Sequence, residues 1–153
     1  KNHTFLVDIF AQLVKMRPDS RLLLLGMGDL EAEIHKKVED LGFSDKVLFL
    51  GVRNDPERFY QAMDVFCLPS LYEGLPVVGI EVQAAEVPCV MSDKVSAKVK
   101  LTPLVTMMSL EKTPQEWAEK LIYSAKMDKT QSCFPDEYDI VKASRQWEEL
   151  YGG

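Results

Sequence analysis

The sequence predicts an α/β fold with a doubly wound parallel sheet, and three observations lead there. Short apolar runs without polar alternation recur along the chain, among them Leu22-Leu23-Leu24-Leu25 and Val47-Leu48-Phe49-Leu50. Such runs suit strands buried on both faces of a parallel sheet. Between them lie stretches whose apolar residues recur at helical spacing. The two kinds of segment alternate, which is the pattern of helices covering both faces of a parallel sheet.

Taken in order, Leu6, Ile9, Leu13 and Met16 line one face of an amphipathic helix over residues 3–16, and Pro18 stops it. A strand follows over residues 21–26, closed by Gly26. Asp29 is placed to cap a second helix with Leu30, Ile34, Val38 and Leu41 on one face and Gly42 at its end. The unit then repeats: a strand over residues 47–51, then a helix start at Asp55-Pro56-Glu57, with Phe59, Ala62 and Met63 on its buried side. Residues 65–69 read as a third strand, Pro76 opens a helix to about Glu86, and residues 88–92 form a fourth strand. Residues 105–108 make a fifth strand. Thr113-Pro114-Gln115-Glu116 is a capping box that starts a helix with Trp117 and Leu121 on its core face. Ile140, Ser144, Trp147 and Tyr151 mark a last helix.

The 153 residues suit a single domain of ordinary globular composition, with 46% hydrophobic and 27% charged residues. A net charge of -6 without a Lys/Arg-rich run excludes a nucleic-acid partner, because phosphate neutralisation needs a concentrated basic surface. Cys67, Cys89 and Cys133 lack Cys-x-x-Cys spacing, and the first two fall inside strand-like runs. They read as reduced thiols in a cytoplasmic setting. A metal site is disfavoured, since His3 and His35 are the only further soft ligands. No run reaches about 18 apolar residues and no charged-then-apolar leader opens the chain, so neither a membrane span nor a signal peptide is expected. The chain opens on Lys1-Asn2-His3 and enters a helical pattern almost at once, as a fold entered partway would.

In doubly wound sheets ligands bind beyond the carboxyl ends of the strands, which directs attention to the loops after Leu25, Leu50, Pro69 and Ser92. Gly26-Met27-Gly28-Asp29 lets a ligand approach the backbone beside a helix start, although a tight turn alone would look the same. The segment Pro69-Ser70-Leu71-Tyr72-Glu73-Gly74-Leu75-Pro76-Val77-Val78-Gly79-Ile80-Glu81 says more. Pro76 suits a first helical turn, and the amides of Val77 and Val78 are then free to bind phosphate with the help of the helix dipole. Glu73 precedes this helix and Glu81 lies within it. A carboxylate beside phosphate needs a neutral hydroxyl partner, and sugar and ribose supply such hydroxyls. That favours a nucleotide sugar over a bare nucleotide. The competing structural reading makes Glu73 a solvated loop charge and Glu81 a surface residue, yet Val77, Val78, Ile80, Val82, Ala84 and Ala85 leave that helix little polar face.

Glu73 and Glu81, with seven residues between them, preceded by Asp64-Val65-Phe66-Cys67-Leu68-Pro69-Ser70 and followed by Gln83-Ala84-Ala85, closely resemble the signature of glycosyltransferase family 4. The resemblance runs from Lys1-Asn2-His3-Thr4-Phe5 through Gly51-Val52-Arg53 towards the terminal helix, and is greatest to bacterial members that build capsular or exopolysaccharide. It implies one half of a GT-B enzyme, in which two Rossmann-like domains face each other across a cleft. Residues 1–153 match the carboxyl-terminal, donor-binding half, and the amino-terminal acceptor domain is absent from this chain.

By the same resemblance the intact enzyme is a retaining, metal-independent glycosyltransferase with no cofactor. Its donor is a nucleoside-diphosphate sugar, UDP- or GDP-linked, and the isolated fragment is inactive. Glu81 would hold the ribose hydroxyls and Glu73 the donor sugar. Amides near Gly74, Leu75, Val77 and Val78 would take the diphosphate, and Gly26, Gly28, Val52 and Arg53 match the loops around base and phosphates. Lys1 matches the family's diphosphate-neutralising Lys, while the partner Arg would lie ahead of it. Catalytic roles thus fall to Glu73 and Lys1, with no metal ligand. The implied setting is the cytoplasm, with peripheral membrane association of the full-length enzyme. The family's usual small residue before Val87-Pro88 is replaced here by Glu86, and Asp93-Lys94-Val95-Ser96 receives no role.

Two other readings were weighed. A sugar-nucleotide epimerase shares the fold but needs acid and base groups from two domains. A receiver-like signalling module needs a phosphorylatable Asp at a strand end, where this chain has Gly26, Gly51 and Ser70.

Overall fold

The computed structural model describes residues 1–129 together with residues 134 and 135. Strands and helices alternate from α1 (His3–Met16) through β1 (Leu22–Leu25), α2 (Glu31–Asp40), β2 (Val47–Gly51), α3 (Pro56–Ala62), β3 (Phe66–Leu68), α4 (Val77–Ala84), β4 (Cys89–Ser92) and β5 (Val105–Met108) to α5 (Pro114–Ser124). A short 3-10 turn over Ala97–Val99 joins β4 to β5. The alternating apolar runs and helices thus produce the expected α/β fold. The last helix expected around Ile140 to Tyr151 lies outside the described residues.

Every strand pairing is parallel, but the pairings form two ladders. β1 pairs with β2, and β3, β4 and β5 pair in that order. Among the described residues no ladder joins β1 to β3. β4, central in its ladder, is buried throughout, as its continuous run Cys89-Val90-Met91-Ser92 requires. β1 is only half-buried along its length, although its sequence reads as a strand covered on both faces. Leu22 to Leu25 line a large cavity, which accounts for the difference.

The core divides along the same line. Val7, Phe10 and Val14 of α1 pack with Ile34 and Val38 of α2 over β1 and β2. Val82 of α4 packs with Leu68, Met91, Val99 and Val105 on one face of the larger ladder. On its other face, Ile9 of α1 meets Val90, Trp117 and Leu121. Trp117 is fully buried, donates its indole N–H to Ser109 O at 3.1 Å and meets Phe5 edge to face. Both arms of the Thr113/Glu116 capping box form, as the sequence predicts.

Local chemistry overrides some expectations. Asp29 does not cap α2: the helix starts at Glu31, Leu30 holds the cap position, and no side chain bonds the free amides. Two residues of turn are needed after Gly28, so the helix begins later than Asp29 could reach. On α3 the buried residue is Tyr60, whereas Ala62 is exposed and Met63 falls beyond the helix end. Pro76 stands at the cap of α4, one residue ahead of the helix.

Candidate functional site

The loops at the carboxyl ends of the strands are tied to one another. Gly26 takes φ 104°, a conformation that excludes a side chain in ordinary geometry, and its N–H donates to Gly51 O at 2.7 Å. The loop after β1 and the loop after β2 therefore meet. A cavity of about 1360 Å³ opens here and is lined by Lys1, Gly26, Val52, Arg53, Val77 and Val78 among other residues. Six of the residues expected at the site from sequence thus share one surface. Gly28 lies on a smaller adjoining pocket with Gly26, His3 and Phe49.

Glu73 sits where three segments converge. Lys1 Nζ lies 2.6 Å from its Oε1, and Ser70 Oγ donates to the same oxygen at 3.2 Å. Its backbone is held as well: the Glu73 N–H donates to Lys94 O, and the Ser96 N–H donates to Glu73 O at 3.0 Å. Glu73 and Val95 form a parallel bridge that prolongs the β3–β4 ladder into the loops. Partial burial alone would raise the Glu73 carboxyl. The Lys1 hydrogen bond and charge, with the Ser70 hydroxyl, outweigh that and hold it below the ordinary glutamate value.

α4 aims its amino end at this region. Pro76 is buried and extended, and the first backward bond of the helix runs from Gly79 N to Pro76 O. The amides of Val77 and Val78 precede that bond, so helix geometry gives them no intrahelical acceptor. Gly79 lets the helix sit tight: a Cβ there would lie 2.8 Å from Val99 Cγ2. Gln83, fully buried, fixes the opposite face by donating to Gly79 O and Val99 O and accepting from Thr102.

Glu81 is on the exposed side of α4, and Tyr60 Oη donates to its Oε2 at 2.8 Å. Burial, and then the Glu81 hydrogen bond and charge, push the Tyr60 phenol well above its ordinary range, so Tyr60 remains a donor. Arg53 is engaged locally: Nε donates to Asp55 Oδ1 at 3.1 Å, and the guanidinium lies over the Phe59 ring. Gly74 and Leu75 are exposed in the loop between Glu73 and α4.

Tyr60 and Ser70 were not singled out in the sequence, nor was residue range 93–96, which carries the Glu73 backbone. A Tyr on the buried side of a short helix and a Ser at a strand end carry no distinctive spacing. The contacts that reveal them span 21 residues for Tyr60–Glu81 and, for Ser92 Oγ donating to Ser70 O, 22.

Known proteins resemble this chain over most of its length. The family model described as "Glycosyl transferases group 1" matches residues 1–138. EpsF of Bacillus subtilis is 40% identical over 126 residues, which cover 82% of this chain and 33% of EpsF. The Vi polysaccharide biosynthesis protein VipC/TviE of Salmonella typhi is 42% identical over 90 residues, 59% of this chain and 16% of that protein. Among solved structures, Anabaena Alr3699/HepE in complex with UDP superposes with a TM-score of 0.70 at 20% identity, covering 100% of this chain and 46% of that one. The chain spans about a third of EpsF and under half of HepE, and its α/β fold is that of GT-B glycosyltransferase domains. With the family match extending across α1 to α5 and the glycine loops, Glu73 and Glu81 inside it, the chain belongs to the glycosyl transferases group 1 family.

Proposed function

We propose that this chain is the donor-binding half of a retaining, family 4-type glycosyltransferase, and that it takes a nucleoside-diphosphate sugar for transfer to a hydroxyl acceptor. The observation that carries this reading is that Lys1, Tyr60, Val77 and Val78 line one cavity, with Lys1 paired to Glu73 and Tyr60 to Glu81. The α4 amides and Lys1 supply positive character for a diphosphate, and their stabilisation grows as the leaving group gains charge. Glu81, oriented by Tyr60, accepts from ribose hydroxyls. Glu73 faces the transferred sugar, and Lys1 lies between it and the phosphates. Gly26, Gly28 and Val52 allow base and phosphates to approach the backbone. Gly74 and Leu75 carry the loop that leads to the α4 amides.

The acceptor site belongs to a second, amino-terminal domain of the same enzyme, so the isolated chain binds diphosphate weakly and transfers nothing. UDP in the HepE structure supports a uridine donor, with GDP the alternative, and the Vi polysaccharide relative supports a role in capsule or exopolysaccharide synthesis. The full-length enzyme works in the cytoplasm, at the inner face of the membrane.

Two substitutions in the two-domain enzyme test the roles. Glu81→Gln weakens binding of the free nucleoside diphosphate by about 1–3 kcal/mol, the range for hydrogen bonds to a charged group. Glu73→Gln spares that binding and lowers turnover with the complete donor. Calorimetry beside steady-state rates decides the matter, and equal effects of both changes on diphosphate affinity would refute the assignment.

A further inference from the structure

α4 is apolar along most of its length, yet Gln83 is buried within it as completely as Val82. An amide taken out of water costs free energy unless its groups find partners. Gln83 engages both ends of its carboxamide. Nε2 donates to Gly79 O at 2.6 Å and to Val99 O at 2.8 Å. Oε1 accepts from Leu101 N at 3.1 Å, from Thr102 N at 3.0 Å and from Thr102 Oγ1 at 3.1 Å. Two carbonyls on one side and two backbone amides on the other admit a single orientation of the group. One side chain thus bonds the turn over residues 97–102 onto α4.

That turn belongs to the segment that carries Glu73. Val99 N donates to Ser96 O at 3.0 Å, Ser96 N to Glu73 O at 3.0 Å, and Glu73 N to Lys94 O at 3.4 Å. A continuous route of hydrogen bonds therefore runs from Gly79 O on α4 through Gln83, Val99 and Ser96 to the Glu73 backbone. Gly79 reinforces it from the helix side, because a Cβ there would stand 2.8 Å from Val99 Cγ2 and force α4 off the turn. An apolar side chain of similar volume would fill the same space and hold neither Val99 nor Thr102.

We propose that Gln83 is a positioning residue for the donor site. It locks α4 and the 97–102 turn into one body, and through Ser96 it fixes where Glu73 stands relative to the Val77 and Val78 amides. The role at the donor rests on the reading of this chain as a donor-binding half, whereas the lock itself rests on the hydrogen bonds. Coupling between sites is reciprocal. Whatever Gln83 contributes to diphosphate binding, bound diphosphate returns as protection of the turn.

Hydrogen exchange read by mass spectrometry on the two-domain enzyme, beside calorimetry with UDP, tests this. In the wild type, saturating UDP is expected to slow exchange over residues 97–102 roughly threefold or more. Gln83→Met is expected to abolish that response and lower UDP affinity roughly tenfold. It also speeds exchange over residues 70–76 and 93–102, while β1 and β2 keep their protection. Thr102→Val removes one donor to Gln83 Oε1, gives the same pattern at smaller amplitude, and serves if Gln83→Met does not fold. Exchange that rises equally in β1 and β2 with UDP affinity unchanged would reduce Gln83 to a stabilising core residue and overturn the proposal. So would a turn that does not respond to bound UDP in the wild type. A wild type that binds neither UDP nor GDP refutes the donor reading instead, and the link to Glu73 then stands or falls on exchange over residues 70–76 in Gln83→Met.

Discussion

In the proposed function, Glu73 and Lys1 are the pair on which the chemistry of the rim turns. At 2.6 Å, and with Glu73 mostly shielded, the ammonium is close enough to set the charge state of the carboxylate. Because the folded-state value is depressed, the pair's contribution is present above the ordinary glutamate value of 4.5 and is lost as pH falls through the lower folded value. Lys1→Ala is therefore expected to move the Glu73 titration midpoint upward, towards or beyond 4.5, as followed by carboxyl-carbon NMR. An unchanged midpoint would mean that Ser70 alone holds the carboxylate. Tyr60 plays the matching part for Glu81. Its hydroxyl donates to one oxygen of the Glu81 carboxylate, and the proposed function assigns the other to a ligand hydroxyl.

Among the elements, α4 is specified at both ends. Its amino end follows buried Pro76 and offers free amides to an anion. Its carboxyl end closes with Glu86 N bonded to Gln83 O and Val87 N bonded to Val82 O, the pairing of a Schellman motif. That motif places Glu86 at φ 58°, in the left-handed region where a side chain is strained. A glycine would take this conformation without strain. Glu86→Gly is expected to stabilise the fold by about 0.5–1 kcal/mol, the relieved strain less the added freedom of the unfolded chain. Thermal melts of the two proteins check it, and a lower melting temperature for the variant would contradict the strain argument.

At the scale of the whole molecule, the family match covers residues 1–138 and the chain spans 33% of EpsF. The proposed function assigns leaving-group stabilisation to the α4 amino end and Lys1. On that reading, chelation with EDTA leaves transfer by the two-domain enzyme nearly unchanged. A rate that collapses with chelator and returns with magnesium or manganese would show that a metal neutralises the diphosphate.

What the sequence by itself determined was the order and type of the elements and the identity of the motif. Those features rest on local physics: the 3.6-residue period of α1 and α5, the unbroken apolar runs of β1, β2 and β4, the Thr113/Glu116 box, and glycines at Gly26 and Gly28 where a chain must turn. Glu73 and Glu81 were legible because their spacing and their apolar neighbours set them apart. Tertiary structure alone decided who holds them. Tyr60 and the loop around Lys94 reach the two carboxylates across distances in sequence that no local period encodes, Ser70 reaches Glu73 through the local turn that follows β3, and Asp29 lost its capping role to the turn after Gly28. The strand pairing is of the same kind: only the tertiary structure shows that, among the described residues, β1 pairs with β2 and β3 with β4. Strand neighbours are chosen by long-range packing, and apolar runs of similar composition do not name their partners.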